Sequence, residues 1–439
     1  MAEKIQTNRR RKSNVKNLEE ERHKRRAARR EPLPPIRRRE HDGTVSPAPS
    51  AHRHRPHPPA RPVPPPVERE WEGPGKPASI DLILLLVIIS LVLFGIVMVF
   101  SSSYYYALTS TSFDGNMYHF VQLQALWSAI GFVGMAFMIH FPYRVVRKFS
   151  FAVYLFALVT LVLVLLVGKD IQGSRRWLGI GPIGFQPSEV AKIAVIIYLS
   201  DFVCRHQQEM RKLRGFLKCA MVLLVPTVLV AVENLSTAIV IFAIGVAILF
   251  VASPKIWYFV VAGVGASGLG AMALLLPQFA YRMERVRIWL DPFSDPTDDG
   301  FQIIQSLYAV ASGGLFGLGL GQSRQKMFVP EPYNDIIFAI ICEELGLVGA
   351  AVVIALFAVL IWRGAKIAME SRDLYGTLVA VGIVMLIGVQ VVINIAVATN
   401  SMPNTGMQLP FISYGGSGMV FTLGSMGILL NISRYRRRI

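Results

Sequence analysis

From residue 79 onward the chain alternates long apolar runs with short polar ones. Ten of the runs approach the roughly 20 residues that cross a bilayer as a helix. They fall at 80–100, 123–141, 149–167, 188–204, 216–232, 236–251, 256–276, 336–362, 374–399 and 411–432. The pattern predicts an all-α polytopic membrane protein of about ten transmembrane helices, with a large extracellular loop between spans 7 and 8. Residues 1–78 follow another rule. Basic runs such as Arg9 to Lys12 and Lys24 to Arg30 give way to a proline-rich stretch with almost nothing apolar to form a core. The expected organisation is a disordered cytoplasmic tail, 1–78, ahead of a membrane domain, 79–439. The first 30 residues lack the apolar region of a cleavable signal.

Composition agrees with the pattern. A soluble chain of 439 residues would hold two or three domains. A hydrophobic content of 53% and a mean hydropathy of +0.46 exclude that class. The net charge of +17 invites a nucleic-acid reading, which its distribution rejects. Much of it lies in the tail, and the rest recurs in the loops at 143–148, 204–218, 255, 362–366 and 434–438. Those loops share one side of a ten-span chain, which the positive-inside rule makes the cytoplasm, with both termini there. The three cysteines suit neither a metal site nor a disulfide framework.

The charged stretch 281–306 cannot lie in lipid, where a charge costs at least about 2.5–3.5 kcal/mol. It carries Arg282, Arg285 and Arg287, then Asp291, Asp295, Asp298 and Asp299, with Pro292 and Pro296 interrupting any helix. By pattern alone the four aspartates are equal candidates for chemistry. Arg175 and Arg176 lie on the side where positive charge is disfavoured, which points to an anionic ligand. Gln186-Pro-Ser-Glu opens a helix with Pro187 first and Glu189 at the positive end of its dipole. Lys192 follows at a spacing that lets the two pair. The glycine-rich run 313–321 lacks the GK[ST] ending of a phosphate loop, so nucleotide binding is rejected. Lys326, Glu331 and Asp335 sit near the outer surface, and Glu343 and Glu344 enter a span, where ionisable groups are functional candidates. Residues 400–418 mix Pro403, Pro410, Gly415 and Gly416, a composition for broken or re-entrant backbone.

Four blocks, at 173–192, 281–306, 313–346 and 400–418, occur here in the order found in the SEDS family (shape, elongation, division and sporulation). The chain resembles that family over about 80–435, and its FtsW/SpoVE branch more than the RodA branch. Two blocks depart from the family wording. ENLSTA at 233–238 puts Asn234 where an Asp is usual, and Tyr333-Asn334-Asp335 keeps only the last residue of HTD.

The resemblance implies a peptidoglycan glycosyltransferase that polymerises lipid II, an undecaprenyl-pyrophosphate disaccharide–pentapeptide, during division. It implies Asp295 as the essential catalytic acid, a general base in an inverting displacement. Arg176, Lys192, Arg282 and Arg285 become candidates for holding pyrophosphate. Glu189, Lys326, Glu331 and Asp335 complete the expected substrate-binding set. A divalent cation, Mg or Mn, is compatible with the sequence and not demanded by it. A class B penicillin-binding protein and other divisome proteins are the implied partners, and the plasma membrane at the septum the implied location. A lipid II flippase, with the loop as a vestibule, is the competing class.

Because residues 1–78 have no core-forming pattern, their deletion is expected to leave membrane insertion and polymerisation intact while altering localisation through lost basic contacts. Membrane fractionation and a polymerisation assay of the truncated chain with its partner check this; inserted but inactive protein refutes it.

Overall fold

The computed structural model describes residues 79–110, 113, 115–171, 174–180, 183–253, 255–260, 263, 280–297 and 299–436. The tail 1–78 and most of the expected span 256–276 lie outside the described residues. Eight described helices are long and apolar enough to cross a membrane. They are α1 (Leu82–Thr109), α2 (His119–His140), α4 (Ser150–Val167), α6 (Leu213–Glu233), α7 (Leu235–Ala252), α10 (Ile337–Glu370), α11 (Leu374–Ala398) and α12 (Gly416–Arg434). The chain is a multi-pass membrane protein. A ninth helix of similar length, α5 (Pro187–Arg205), carries Glu189, Lys192 and Asp201 and is enclosed by α4, α6, α7 and α11. Burial against protein replaces contact with lipid, so α5 tolerates charge that the outer helices do not.

Three acids fasten one end of the bundle. Asp81 caps α1 by accepting from the Leu84 amide at 3.0 Å and pairs with Arg363 of α10 and with Arg436. Asp201 of α5 accepts from Arg147 (2.7 Å) on the short helix α3 (Tyr143–Lys148), from Ser150 (2.8 Å) and from Arg205 (2.6 Å). Asp373 caps α11 through the Gly376 amide and accepts from the Tyr143 hydroxyl at 2.5 Å. Each carboxylate thus satisfies a helix end or a neighbouring cation that would otherwise be buried unpaired.

The opposite end is less regular. Residues 169–185, expected as a loop, form a three-stranded antiparallel meander: β1 (Lys169–Ile171), β2 (Ser174–Ile180) and β3 (Ile183–Phe185). The pairs Lys169–Trp177 and Leu178–Phe185 set its register. The charged stretch folds as α8 (Ala280–Leu290), a 3-10 turn at Pro292–Ser294 and α9 (Asp299–Ser312). The last span begins at Gly416, five residues later than the pattern suggested. Before it, Met407 and residues 409–413 are buried without being helical, with Phe411 at φ 67°. Gly95 of α1 lies against their backbone, where a Cβ would collide with the Phe411 carbonyl, and Gln124 of α2 donates to the Ser413 carbonyl at 3.2 Å. This is the covered irregular backbone expected of 400–418.

α10 is broken at Gly346, whose φ of 67° and ψ of −168° suit glycine almost alone. The glycine-rich run packs into the break. Leu318 and Gly319 donate to the carbonyls of Glu343 and Glu344 (2.9 and 3.0 Å), while Leu347 and Val348 donate to Gly314 and Leu315. The glycines that mimic a nucleotide motif are there for close backbone approach: a Cβ at Gly313 or Gly317 would strike the Cys342 or Glu344 carbonyl.

Gly346→Ala is expected to destabilise the protein by about 1–3 kcal/mol, through its dihedral strain and a clash with the Gly317 amide. Gly424→Ala, in helical backbone with open space around its Cβ, is expected to be neutral. Thermal unfolding of the purified variants, followed by fluorescence-detected gel filtration, distinguishes them.

Candidate active site

Asp295 follows the 3-10 turn and precedes α9. The turn is held by Ser294 Oγ donating to the Asp291 carbonyl at 2.6 Å. Gly300 lets α9 close against the carbonyls of Pro292 and Asp295, an approach no side chain would permit. Asp295 is half-buried, and among the described residues its carboxylate has no hydrogen-bond or ion-pair partner. Asp291 is exposed; Asp298 and the side chain of Asp299 lie outside the described residues.

The stretch is tied down at both ends. Trp289 Nε1 donates to the Asn400 carbonyl at 2.9 Å, and Arg285 donates to the Asn404 carbonyl at 3.4 Å. From α9, Gln302 accepts from Asn404 Nδ2 at 2.7 Å and donates to Asp335 at 3.5 Å. Asn394 of α11 donates to the carbonyls of Asp335 (2.8 Å) and Met407 (2.7 Å). Arg285, Gln302, Asp335 and Asn404 therefore form one polar cluster. Burial pushes the Asp335 carboxyl up to about 6, with the Glu331 charge acting in the same direction. The backbone amides of Asp335 and Ile336 and the Arg285 guanidinium pull the other way. Glu331, at φ 50°, accepts from Asn334 Nδ2 at 2.6 Å.

The remaining candidates separate into distinct groups. Glu189 and Lys192 pair at 2.7 Å inside the bundle, as their spacing predicted, with Lys192 almost wholly buried. Glu189 lies close to Gly418, as does Gln408. Arg176 is exposed on β2 and donates to the Glu233 carbonyl at the end of α6 (3.0 Å). The side chain of Arg282 lies outside the described residues. Lys326 is buried: it donates to the Gly321 carbonyl (2.7 Å), pairs with Glu344 (3.0 Å) and sits over the Tyr104 ring. Its ammonium is engaged within the protein, whereas its position near the outer surface had pointed to a substrate-facing role.

The amides of Gln302, Asn394, Asn404 and Gln408 were missed. Asn394 could have been found, because a polar side chain in an apolar span is a functional candidate. An apolar cavity of about 610 Å³ opens between α2, α4, α12 and the meander, lined by Trp127, Ile130, Phe156, Leu178, Phe185 and Phe421. Among the described residues no three His, Cys, Asp or Glu side chains converge to hold a metal. A divalent cation here would take most of its ligands from the substrate's own phosphates and water.

Asp335 yields a signed pH prediction. A carboxyl whose folded pKa is raised favours folding in its protonated form; that contribution is complete below about pH 4 and lost as pH rises through about 6. Asp335→Asn is therefore expected to flatten the fall in melting temperature between those values. An unchanged slope in the variant refutes the assignment.

Comparisons with known proteins agree with this architecture. The family model described as a cell cycle protein and covering FtsW, RodA and SpoVE matches residues 81–438. Stage V sporulation protein E of Bacillus subtilis is 43% identical, over 82% of this chain and 99% of its own. A probable peptidoglycan glycosyltransferase FtsW of a Geobacter species is 38% identical, over 81% and 97%. Among solved structures, a chain of a peptidoglycan synthase complex that coordinates polymerization and crosslinking aligns with a TM-score of 0.66 at 27% identity, covering 82% of this chain and 99% of that one. The rod shape determining protein RodA of Thermus thermophilus aligns with a TM-score of 0.58 at 25% identity, covering 82% and 98%. The chain belongs to the FtsW, RodA and SpoVE family of cell cycle proteins.

Proposed function

We propose that this protein is a peptidoglycan glycosyltransferase that polymerises lipid II into glycan strands during cell division, with Asp295 as the general base. The observation that carries this reading is the placement of Asp295. It is a carboxylate without a partner among the described residues, half-buried on a braced turn. A base must keep a free oxygen for the incoming hydroxyl and must not move when it takes the proton.

The step is a displacement with inversion. The acceptor sugar hydroxyl attacks the anomeric carbon of the sugar on the other strand, and its proton passes to the Asp295 carboxylate. The bond from that carbon to the pyrophosphate oxygen breaks, and the undecaprenyl pyrophosphate leaves with the electron pair. Arg285, with Arg282 one helical turn before it and Arg176 on β2, supplies positive charge for the leaving group. The Glu189–Lys192 pair and the Gln302–Asn404–Asp335 cluster position polar substrate groups. The apolar cavity suits a polyprenyl tail.

The ten-span domain, 79–439, has both termini in the cytoplasm and the 280–336 segment outside. The basic tail of residues 1–78 is a separate regulatory arm. A single-span class B penicillin-binding protein, which cross-links the strands, is the expected partner, with other divisome proteins at the septum. The enclosed charge pair and large cavity also suit a lipid II flippase, so the test separates the two.

Asp295→Asn is expected to lower lipid II polymerisation by a factor of about 10² to 10⁴ while the protein still inserts and binds its partner. Asp291→Asn is expected to be clearly milder. Glycan ladders from labelled lipid II, run with the cognate transpeptidase, provide the readout. Near-normal ladders from Asp295→Asn refute the base and favour transport; an inactive Asp291→Asn beside an active Asp295→Asn moves the base.

A further inference from the structure

The segment 313–328, between α9 and α10, combines two properties rarely found together in a loop. Its apolar side chains face outward: Leu315, Phe316, Leu318, Leu320, Met327 and Phe328 are all exposed, Phe316 at 80%. The backbone of its second half, by contrast, is closely paired. Every amide from Gly321 to Val329 has a protein acceptor. Two carboxylates of α10 do much of this. Glu344 accepts from the amides of Gly321 (2.9 Å) and Ser323 (3.3 Å), and Glu343 from those of Arg324 (2.9 Å) and Gln325 (3.4 Å). A loop in water has no need of such pairing, because solvent satisfies its amides; a loop in hydrocarbon must have it.

The depth of the segment follows from two helices. Asp81 at the head of α1 pairs with Arg363 of α10. From that pair to Ser101 along α1 is about 30 Å at the helical rise per residue. Ser101 Oγ donates to Glu344 at 2.6 Å, which puts Glu344 at the same depth. That distance matches a hydrocarbon core about 30 Å thick. Leu347 and Val348, whose amides donate to Gly314 and Leu315, lie on the other side of the Gly346 break in α10. Their own side chains are exposed and continue the apolar surface of the loop. Exposed Arg324 is placed to reach headgroup phosphates while the apolar side chains sit below it.

We propose that residues 313–328 form a membrane-inserted loop, seated in the lipid leaflet on the side of the charged segment, with Glu343 and Glu344 serving as its internal amide acceptors. Its partner is the acyl region of the bilayer. The loop thereby anchors the Asp295-bearing segment, since α9 runs directly into it. The proposal does not depend on the catalytic reading, and its test measures no activity.

The full chain is reconstituted into vesicles of phosphatidylethanolamine and phosphatidylglycerol. An environment-sensitive fluorophore is attached at Phe316→Cys or Leu320→Cys, with Thr297→Cys as the water-side reference. Signal from the unsubstituted chain, which holds Cys204, Cys219 and Cys342, is subtracted. The expected result is blue-shifted emission at 316 and 320, quenching there by doxyl-labelled lipid, and protection from aqueous iodide, with the reverse at 297. Iodide quenching at 316 and 320 equal to that at 297 overturns the proposal. Protection that appears only when a transpeptidase partner is added overturns it in favour of a protein contact. Both substituted side chains are exposed, so neither variant removes a packed group.

Discussion

A peptide group in hydrocarbon has no water to fall back on, and this structure is arranged around that constraint. At two places among the described residues where regular helix is interrupted, specific partners satisfy the backbone. At Gly346 the carbonyls left open in α10 are taken by Leu318 and Gly319. In the 400–415 segment, Gln124, Asn394 and the Ser413 hydroxyl reach into the irregular backbone. These side chains sit beside broken backbone, where an orphaned amide or carbonyl would cost about 1–3 kcal/mol or more.

The same constraint governs charge. Asp81, Asp201 and Asp373 pair off at one end of the bundle; Glu344 pairs with Lys326 at the other; Glu189 pairs with Lys192 between enclosing helices. Buried ion pairs of this kind add little net stability, but the loss of one partner strands the other. Asp295 stands outside this system. Among the described residues its carboxylate has no ion-pair partner, while the turn around it is closely braced. Rigid backbone with a free functional group is an arrangement suited to chemistry rather than to stability.

The spans were legible because length and apolarity act locally, and the head of α5 was legible because Pro187, Glu189 and Lys192 act within a single turn. Legibility ended where partners are distant in sequence. Lys326 looked like an outward-facing ligand because nothing near it reveals Glu344 across the loop or Tyr104 on α1. The Gln302–Asn404 contact joins segments a hundred residues apart, so neither amide stood out. The meander at 169–185 was hidden for a different reason. Its strands are three to seven residues long, and Gly and Pro turns read equally well as loop. Asp295 was singled out by resemblance; pattern alone had ranked it with three other aspartates.

Function then rests on how the two ends of the molecule cooperate. The charged segment makes few contacts of its own and takes its position from α11, through Asn394 and residues 400–404, and from α10, through the loop at its break. Both helices are also fastened at the far end, α10 by Asp81 and α11 by Asp373. A tilt of either helix would therefore move the support beneath Asp295 without altering Asp295 itself. A partner gripping the lipid-facing side of α10 or α11 could act on the site through this linkage. The physical requirement is a pair of alternative packings at the Gly346 break or in the 400–415 segment, the two places where regular helix geometry is interrupted.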